Sequence, residues 1–291
     1  MTRVGVIGGS SFVGERVISR LLAEGVQVTA FSREVRAAET GIEWRRLPET
    51  SDRSKVGAED IAYWICVAPI WVLPAYFDWL LACGARRIVA LSSTSRFTKE
   101  DSGDLAEQTV ARSLTDGEAR LQAWAHDNSV RWTILRPTLI YGLGRDRNVA
   151  DIAHFIRRFG FFPLLGEGRG LRQPVHVDDV AGACVAALGR TVCEDKAYEI
   201  SGAEVLAYRD MVARVFHATG RPARFVVVPL WVFSLFVRVA RLLPRYRKLS
   251  VAMAERMNQD MAFSHEEATR DFGFSPVGFL ESQERDSGSR I

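Results

Sequence analysis

Lysine is nearly missing from this chain: of 38 basic residues only Lys55, Lys99, Lys196 and Lys248 are lysines, and the rest are arginines. Any chemistry that needs an amine proton donor has few residues to draw on. Cys66, Cys83, Cys184 and Cys193 show no CxxC pair, which excludes a disulfide scaffold and a structural zinc site and points to a reducing compartment. His126, His154, His176, His217 and His265 form no HExxH or other ligand pair, so no metal is expected. A charged region and apolar stretch of the signal-peptide kind do not precede Val4, and the expected location is cytoplasmic. Charge of one sign is not in excess either. A net charge of +3 argues against a nucleic-acid footprint over the whole molecule.

What is present is an apolar content of 47% in 291 residues, enough for one large domain with a smaller companion. The chain opens Arg3-Val4-Gly5-Val6-Ile7-Gly8-Gly9-Ser10-Ser11-Phe12-Val13-Gly14, and helix-like sequence follows through Val17, Ile18, Leu21 and Leu22. Strand, small-residue turn and helix in that order form a dinucleotide-binding pattern. A helix N-terminus offers unpaired N–H groups and positive dipole to a pyrophosphate, and small residues allow the close approach. Residues 26–31 alternate like a second strand that ends in Ser32 and Arg33. An acid there would bond the ribose 2′-hydroxyl of NAD, whereas an arginine beside a hydroxyl suits the 2′-phosphate of NADP.

Residues 42–47, 62–69, 87–95 and 131–135 read as further strands, with helices over 70–82 and 105–128 between them. Such alternation predicts an α/β, Rossmann-type doubly wound parallel sheet. Its ligand site belongs at the carboxyl ends of the strands, where residues 8–14, Ala68, Pro69 and the hydroxyl cluster 92–95 converge. Asp178 or Asp179 has the placement of an N-cap for a small-residue helix over 181–188.

With Gly8…Gly14, Leu91-Ser92-Ser93-Thr94, Leu135-Arg136-Pro137 and His176-Val177-Asp178-Asp179-Val180-Ala181 in this order, the chain resembles the extended short-chain dehydrogenase/reductase superfamily, relatives of nucleotide-sugar epimerases. The resemblance implies an NAD(P)-binding domain over 1–145 and about 173–200, and a smaller substrate or partner domain over about 146–172 and 201–291. Carried over by position, Gly8, Gly9, Ser10, Ser11, Phe12, Val13 and Gly14 hold the pyrophosphate, and Ser32 and Arg33 face the adenosine ribose. Ala68 and Pro69 line the cofactor, with Ser92, Thr94, Pro137 and Thr138 near the nicotinamide. Thr94 fits the family's catalytic hydroxyl. Tyr141, Arg145, Asn148 and Arg172 fall where substrate enters, Arg172 in the position that grips a substrate pyrophosphate in the epimerases.

Two features depart from the family pattern. Ser11 replaces the middle glycine of GxxGxxG, where its Cβ crowds the close approach. The Tyr-x-x-x-Lys pair, in which lysine lowers the tyrosine pKa for proton exchange, is absent. Its positions fall near Val110 and Leu114, and none of the six tyrosines has a lysine four residues later. Lys99, close to Thr94 in sequence, is the residue to weigh as a replacement against a surface role. The segment around Gln173-Pro174-Val175-His176 resembles the atypical branch that includes the reductase-like accessory subunit of respiratory complex I.

Beyond 225–229, residues 230–243 form an apolar helix-like segment with Arg238 and Arg241 on one stripe and Arg245, Arg247 and Lys248 beyond. It is too short and too charged to span a bilayer. Two readings stand: a helix in the interface of an anionic membrane through 230–248, which would place the protein peripherally at the inner face of the membrane, or one packed under the substrate domain or across a homodimer. For function, an atypical NADP- or NAD-dependent oxidoreductase or epimerase-like enzyme acting on a small molecule stands beside a catalytically silent NAD(P)-binding protein of a membrane assembly. No nucleic-acid partner is expected.

Overall fold

The computed structural model describes residues 3–34, 36–37, 40–49, 60–142, 144–229, 231, 233 and 256–281. Strands β1 (Arg3–Ile7), β2 (Gln27–Ser32), β3 (Ile42–Arg46), β4 (Tyr63–Cys66), β5 (Arg87–Leu91) and β6 (Arg131–Pro137) carry the first half of the chain. Short strands β7 (Ile140–Tyr141), β8 (Phe162–Leu165), β9 (Leu171–Arg172) and β10 (Val175–His176) follow, then β11 (Lys196–Ile200), β12 (Leu206–Ala207) and β13 (Phe225–Val228). The helices are α1 (Phe12–Ala23), α2 (Phe77–Ala82), α3 (Ser95–Thr98), α4 (Leu105–Asp127), α5 (Val149–Phe159), α6 (Val177–Leu188), α7 (Tyr208–Ala218) and α8 (Glu266–Phe272).

Seven strands pair in parallel in the order β3-β2-β1-β4-β5-β6-β11, the doubly wound sheet that the alternation predicts. Near-continuous apolar runs such as β5, buried at every position, reflect a sheet covered on both faces. On one face Val4 and Val6 meet Val17 and Leu21 of α1 and Val180 and Cys184 of α6. On the other, Ile7, Trp64 and Ile88 pack with Leu73, Trp79 and, from α4, Leu114 and Leu121. The three smaller sheets, β7 with β10, β9 with β12 and β8 with β13, lie outside this sheet. A third core, including Ile152, Ile156, Met211, Val215 and Phe216, binds α5 to α7.

Two local readings are corrected. Residues 70–82 are not one helix: Ile70–Tyr76 is a 3-10 segment containing Pro74, and α2 starts only at Phe77. Proline has no N–H to give to a regular ladder and its ring crowds the preceding turn. Helix α6 is capped by His176, whose Nδ1 accepts from the Asp178 N–H at 3.3 Å, so Asp178 and Asp179 lie in its first turn. Of the 230–248 segment only Trp231 and Phe233 fall within the described residues, so the membrane reading lies outside them. No helix among the described residues is long and apolar enough to cross a membrane.

Candidate functional site

The strand order reverses beside β1, with β2 on one side and β4 on the other, which opens a crevice at their carboxyl ends. Gly8 to Gly14 leave β1 there, Ser32 and Arg33 end β2, and Ala68 and Pro69 follow β4. Ser92 and Thr94 follow β5, and Pro137 and Thr138 lie at the end of β6. The structure therefore brings every sequence-predicted cofactor residue to one edge of the sheet.

The glycine turn is held by its own backbone. The Gly8 and Gly9 N–H groups both donate to the Phe31 carbonyl, and Ser11 N–H to Gly8 O. Gly8 has φ +82°, a left-handed conformation that glycine adopts without strain. A Cβ on Gly14 would lie 2.3 Å from Gly8 O, so α1 reaches the turn only with glycine there. Ser11 caps α1, its hydroxyl accepting from the Gly14 N–H at 3.1 Å. Among the described residues no hydrogen bond occupies the N–H groups of Ser10, Phe12 or Val13. These donors at a helix N-terminus fit a pyrophosphate. At the end of β2 the Ser32 hydroxyl donates to the Glu34 carbonyl. Arg33 is exposed and makes no ion pair among the described residues, whereas nearby Arg36 lies over Trp44 and pairs with Glu15.

Helix α1 is fixed from outside the turn. Arg16 forms a two-pronged ion pair with buried Asp178, with Nη2 2.9 Å from Oδ2. Asp179 accepts the Val277 N–H at 3.0 Å. Glu15 pairs with Arg145 at 2.5 Å, which holds that guanidinium above its ordinary pKa.

Below Ser92 lies a buried charge cluster that sequence reasoning missed. Glu118, 1% exposed, accepts from the Ser92 hydroxyl at 2.5 Å, from Arg136 Nη2 at 2.7 Å and from Arg96. Arg136 also reaches Glu199 at 3.1 Å. Burial works against the Arg136 charge, but these two carboxylates outweigh it and raise its pKa. The signal was available in the helix: Ala111, Leu114, Glu118, Leu121 and Ala125 share the buried stripe of α4, and a carboxylate on such a stripe needs partners.

Thr94 opens onto a cavity of about 500 Å³. Lys99, Thr138, Asn148, Arg172 and Arg256 are among its lining residues, and no carboxylate is. Lys99 is half-buried, its backbone N–H donates to Ser95 O at 3.1 Å, and its side-chain amine has no hydrogen-bond or ion-pair partner among the described residues. Burial, and then the charge of Arg256, lower its pKa, against an opposing pull from Glu107. The Thr94 hydroxyl donates to the Pro137 carbonyl at 3.3 Å, and the Thr138 hydroxyl to Gln173 O.

The residues expected to meet substrate divide. Asn148 and Arg172 line this cavity; Tyr141 and Arg145 are not among its lining residues. The Tyr141 hydroxyl is buried between Gly278 O and the Leu280 N–H, the latter at 3.1 Å, and Arg145 is engaged by Glu15. Arg172 donates to the carbonyls of Leu171 at 2.6 Å, Gln259 at 2.8 Å and Arg256, and its guanidinium lies over Tyr208. Burial pushes its pKa down to about 10. It is a clamp on the 256–259 segment before it is a ligand for anything else.

Residues 75–201 match the model of the NAD dependent epimerase/dehydratase family. The chain is 27% identical to 2-alkyl-3-oxoalkanoate reductase of Stenotrophomonas maltophilia, over 95% of each chain. It is also 35% identical to NADH dehydrogenase [ubiquinone] 1 alpha subcomplex subunit 9 of Arabidopsis thaliana, over 33% of this chain and 24% of that one. Its fold matches UDP-glucuronic acid 4-epimerase from Bacillus cereus, solved with UDP-glucuronic acid and NAD, with a TM-score of 0.74 at 16% identity over 99% of this chain and 98% of that one.

Proposed function

We propose that the chain, whose residues 75–201 match the NAD dependent epimerase/dehydratase family, is an atypical NAD(P)-binding member of the extended short-chain dehydrogenases/reductases and acts as an NADP-dependent oxidoreductase of a small carbonyl or alcohol substrate. The observation that carries this reading is Lys99, a half-buried amine without a described partner, lining the same cavity as Thr94. The full-length likeness to a protein named a reductase supports it.

The turn donors Ser10, Phe12 and Val13 hold the cofactor's pyrophosphate, and Arg33, beside Ser32, takes the 2′-phosphate. When bound, the cofactor supplies a hydride in one direction and accepts it in the other. Lys99 does the work of the missing tyrosine: its ammonium gives a proton to the carbonyl oxygen as the carbonyl becomes an alcohol. A lowered pKa makes that proton easier to release than an ordinary lysine's. Thr94 orients the oxygen from the same wall. Arg172 keeps that wall in place. The protein works in the cytoplasm on this reading.

The test is NADPH consumption with a panel of aldehydes and ketones, alongside NADPH titration by cofactor fluorescence. Lys99→Met should bind NADPH as the native chain does and lose about 10²- to 10⁴-fold in rate. The native rate should fall as pH rises through the Lys99 pKa, because the protonated form is the donor. Full activity of the variant overturns the role of Lys99, and no NADPH binding at high micromolar concentration overturns the whole reading.

One observation favours a second reading, a catalytically silent NAD(P)-binding protein. The positions at which the family carries Tyr and Lys fall near Val110 and Leu114, and Leu114 is buried in the core. Tight NADPH binding with no turnover across the panel would select it.

A further inference from the structure

The cavity beside Thr94 has a neighbour of different character. A second cavity, of about 780 Å³, is walled by Ile152, Phe155, Phe162, Leu165, Met211 and Val228. Its charged contributors, Arg147 and Asp151, come from the start of α5 and the loop before it. Leu139, Asn148, Tyr208 and Met257 line both cavities, so the two share a wall and adjoin.

Protein interiors close-pack and leave few voids larger than a water molecule. A space of this size walled by aliphatic and aromatic side chains forfeits dispersion contacts on every lining atom and offers water few partners. Its volume falls in the range of small-molecule sites, roughly 300–1,000 Å³. The polar cavity next door holds Thr94 and Lys99 and suits the reacting end of a substrate. Apart from Arg147 and Asp151 and the shared Asn148 and Tyr208, the apolar cavity is lined by side chains that have no chemistry to offer.

We infer that the substrate is an amphiphile, its carbonyl or alcohol seated beside Thr94 and Lys99 and a hydrocarbon tail running across the Leu139–Tyr208–Met257 wall into the apolar cavity. The inference rests on the oxidoreductase reading for the identity of the head and on the adjoining cavities for the tail. Burial of each methylene contributes about 0.8 kcal/mol, so affinity rises up to about fourfold per added methylene while the chain fits. The rise stops where the far wall is reached. Ile152 and Leu165 line the apolar cavity but not the polar one, and larger residues there shorten the space without touching the head or the cofactor turn.

The test is calorimetric titration of the NADPH-loaded full chain with methyl ketones from 2-butanone to 2-dodecanone. The expected result is a dissociation constant that falls with length and then levels. In Ile152→Phe and Leu165→Phe the plateau should come at shorter ketones, with 2-butanone and NADPH binding unchanged. Two variants guard against one failing to fold, and the native length series is a test by itself. An affinity independent of length overturns the inference. So does a length dependence that neither variant alters, because the tail then lies elsewhere. The two readings fail separately: ketones that bind by length without NADPH consumption sink the oxidoreductase, and turnover without length dependence sinks the tail.

Discussion

Arg16, in the second turn of α1, and Asp178, in the first turn of α6, are 162 residues apart in sequence and joined by a two-pronged ion pair. The pair bolts the helix that follows the glycine turn to the signature helix on the same face of the sheet. Asp178 is 5% exposed in its side chain and Arg16 33%, so Asp178→Ala leaves a cation that water still reaches in part. Breaking a fully buried pair costs about 3–5 kcal/mol; here the expected loss is about 1–3 kcal/mol. Urea unfolding measures it, and a change below about 0.5 kcal/mol would make the pair a surface contact in energetic terms.

Gly14→Ala should damage binding more than folding. The added Cβ would stand 2.3 Å from Gly8 O and 2.8 Å from Gly9, backbone atoms that cannot rotate away. The turn must open, moving the three N–H donors. We expect NADPH affinity to fall by an order of magnitude or more, at least about 1.4 kcal/mol, with far-UV circular dichroism preserved. Fluorescence titration at native affinity would show that the turn yields.

Arg33→Ala should separate the two dinucleotides. A charge-assisted hydrogen bond to phosphate contributes about 1.5–3 kcal/mol, equivalent to about 10- to 100-fold in affinity. NADPH binding should weaken by that factor and NADH binding should hold or improve. Equal losses for both would place Arg33 away from the 2′-position.

Asp271 gives stability a definite pH dependence. Its carboxylate accepts from Lys196 Nζ at 2.8 Å and the Tyr198 hydroxyl at 2.7 Å, and the lysine bond first, then the tyrosine's, bring its pKa down to about 2. A carboxyl depressed on folding stabilises fully above its unfolded value, about 3.9, and loses that contribution as pH falls through the folded value. The urea midpoint of Asp271→Asn should therefore lie below the native one at pH 6 by more than at pH 3. A gap that is the same at both would refute the linkage.

The main sheet was legible because its signals are local. β1, β5 and β6 read as apolar runs, and strand, turn and helix follow one another in a fixed order with fixed handedness. Arg172, Tyr141 and Arg145 were the hard cases. Each looks like a ligand residue in its own loop, but its partners, Gln259, Gly278 and Glu15, lie 87 to 137 positions away, where no window of sequence reaches. The same holds for Asp178: its local placement resembles a cap, and its tertiary partner is Arg16. Glu118 differs, because the stripe of α4 marks it as buried before any fold is known. The unpartnered state of Lys99 belongs to the cavity and not to the sequence around it.

The 277–280 strip is gripped from three directions: Val277 by Asp179, Phe279 by Glu204 at 2.7 Å, and Leu280 by the Tyr141 hydroxyl. The grip has a consequence for the order of birth. A ribosome delivers this strip more than 250 residues after the glycine turn, and synthesis proceeds at roughly 5–20 residues per second. For many seconds the nascent sheet therefore presents a dinucleotide cradle whose signature helix is still missing a partner. The segment that closes the latch is delivered after both of the helices it steadies.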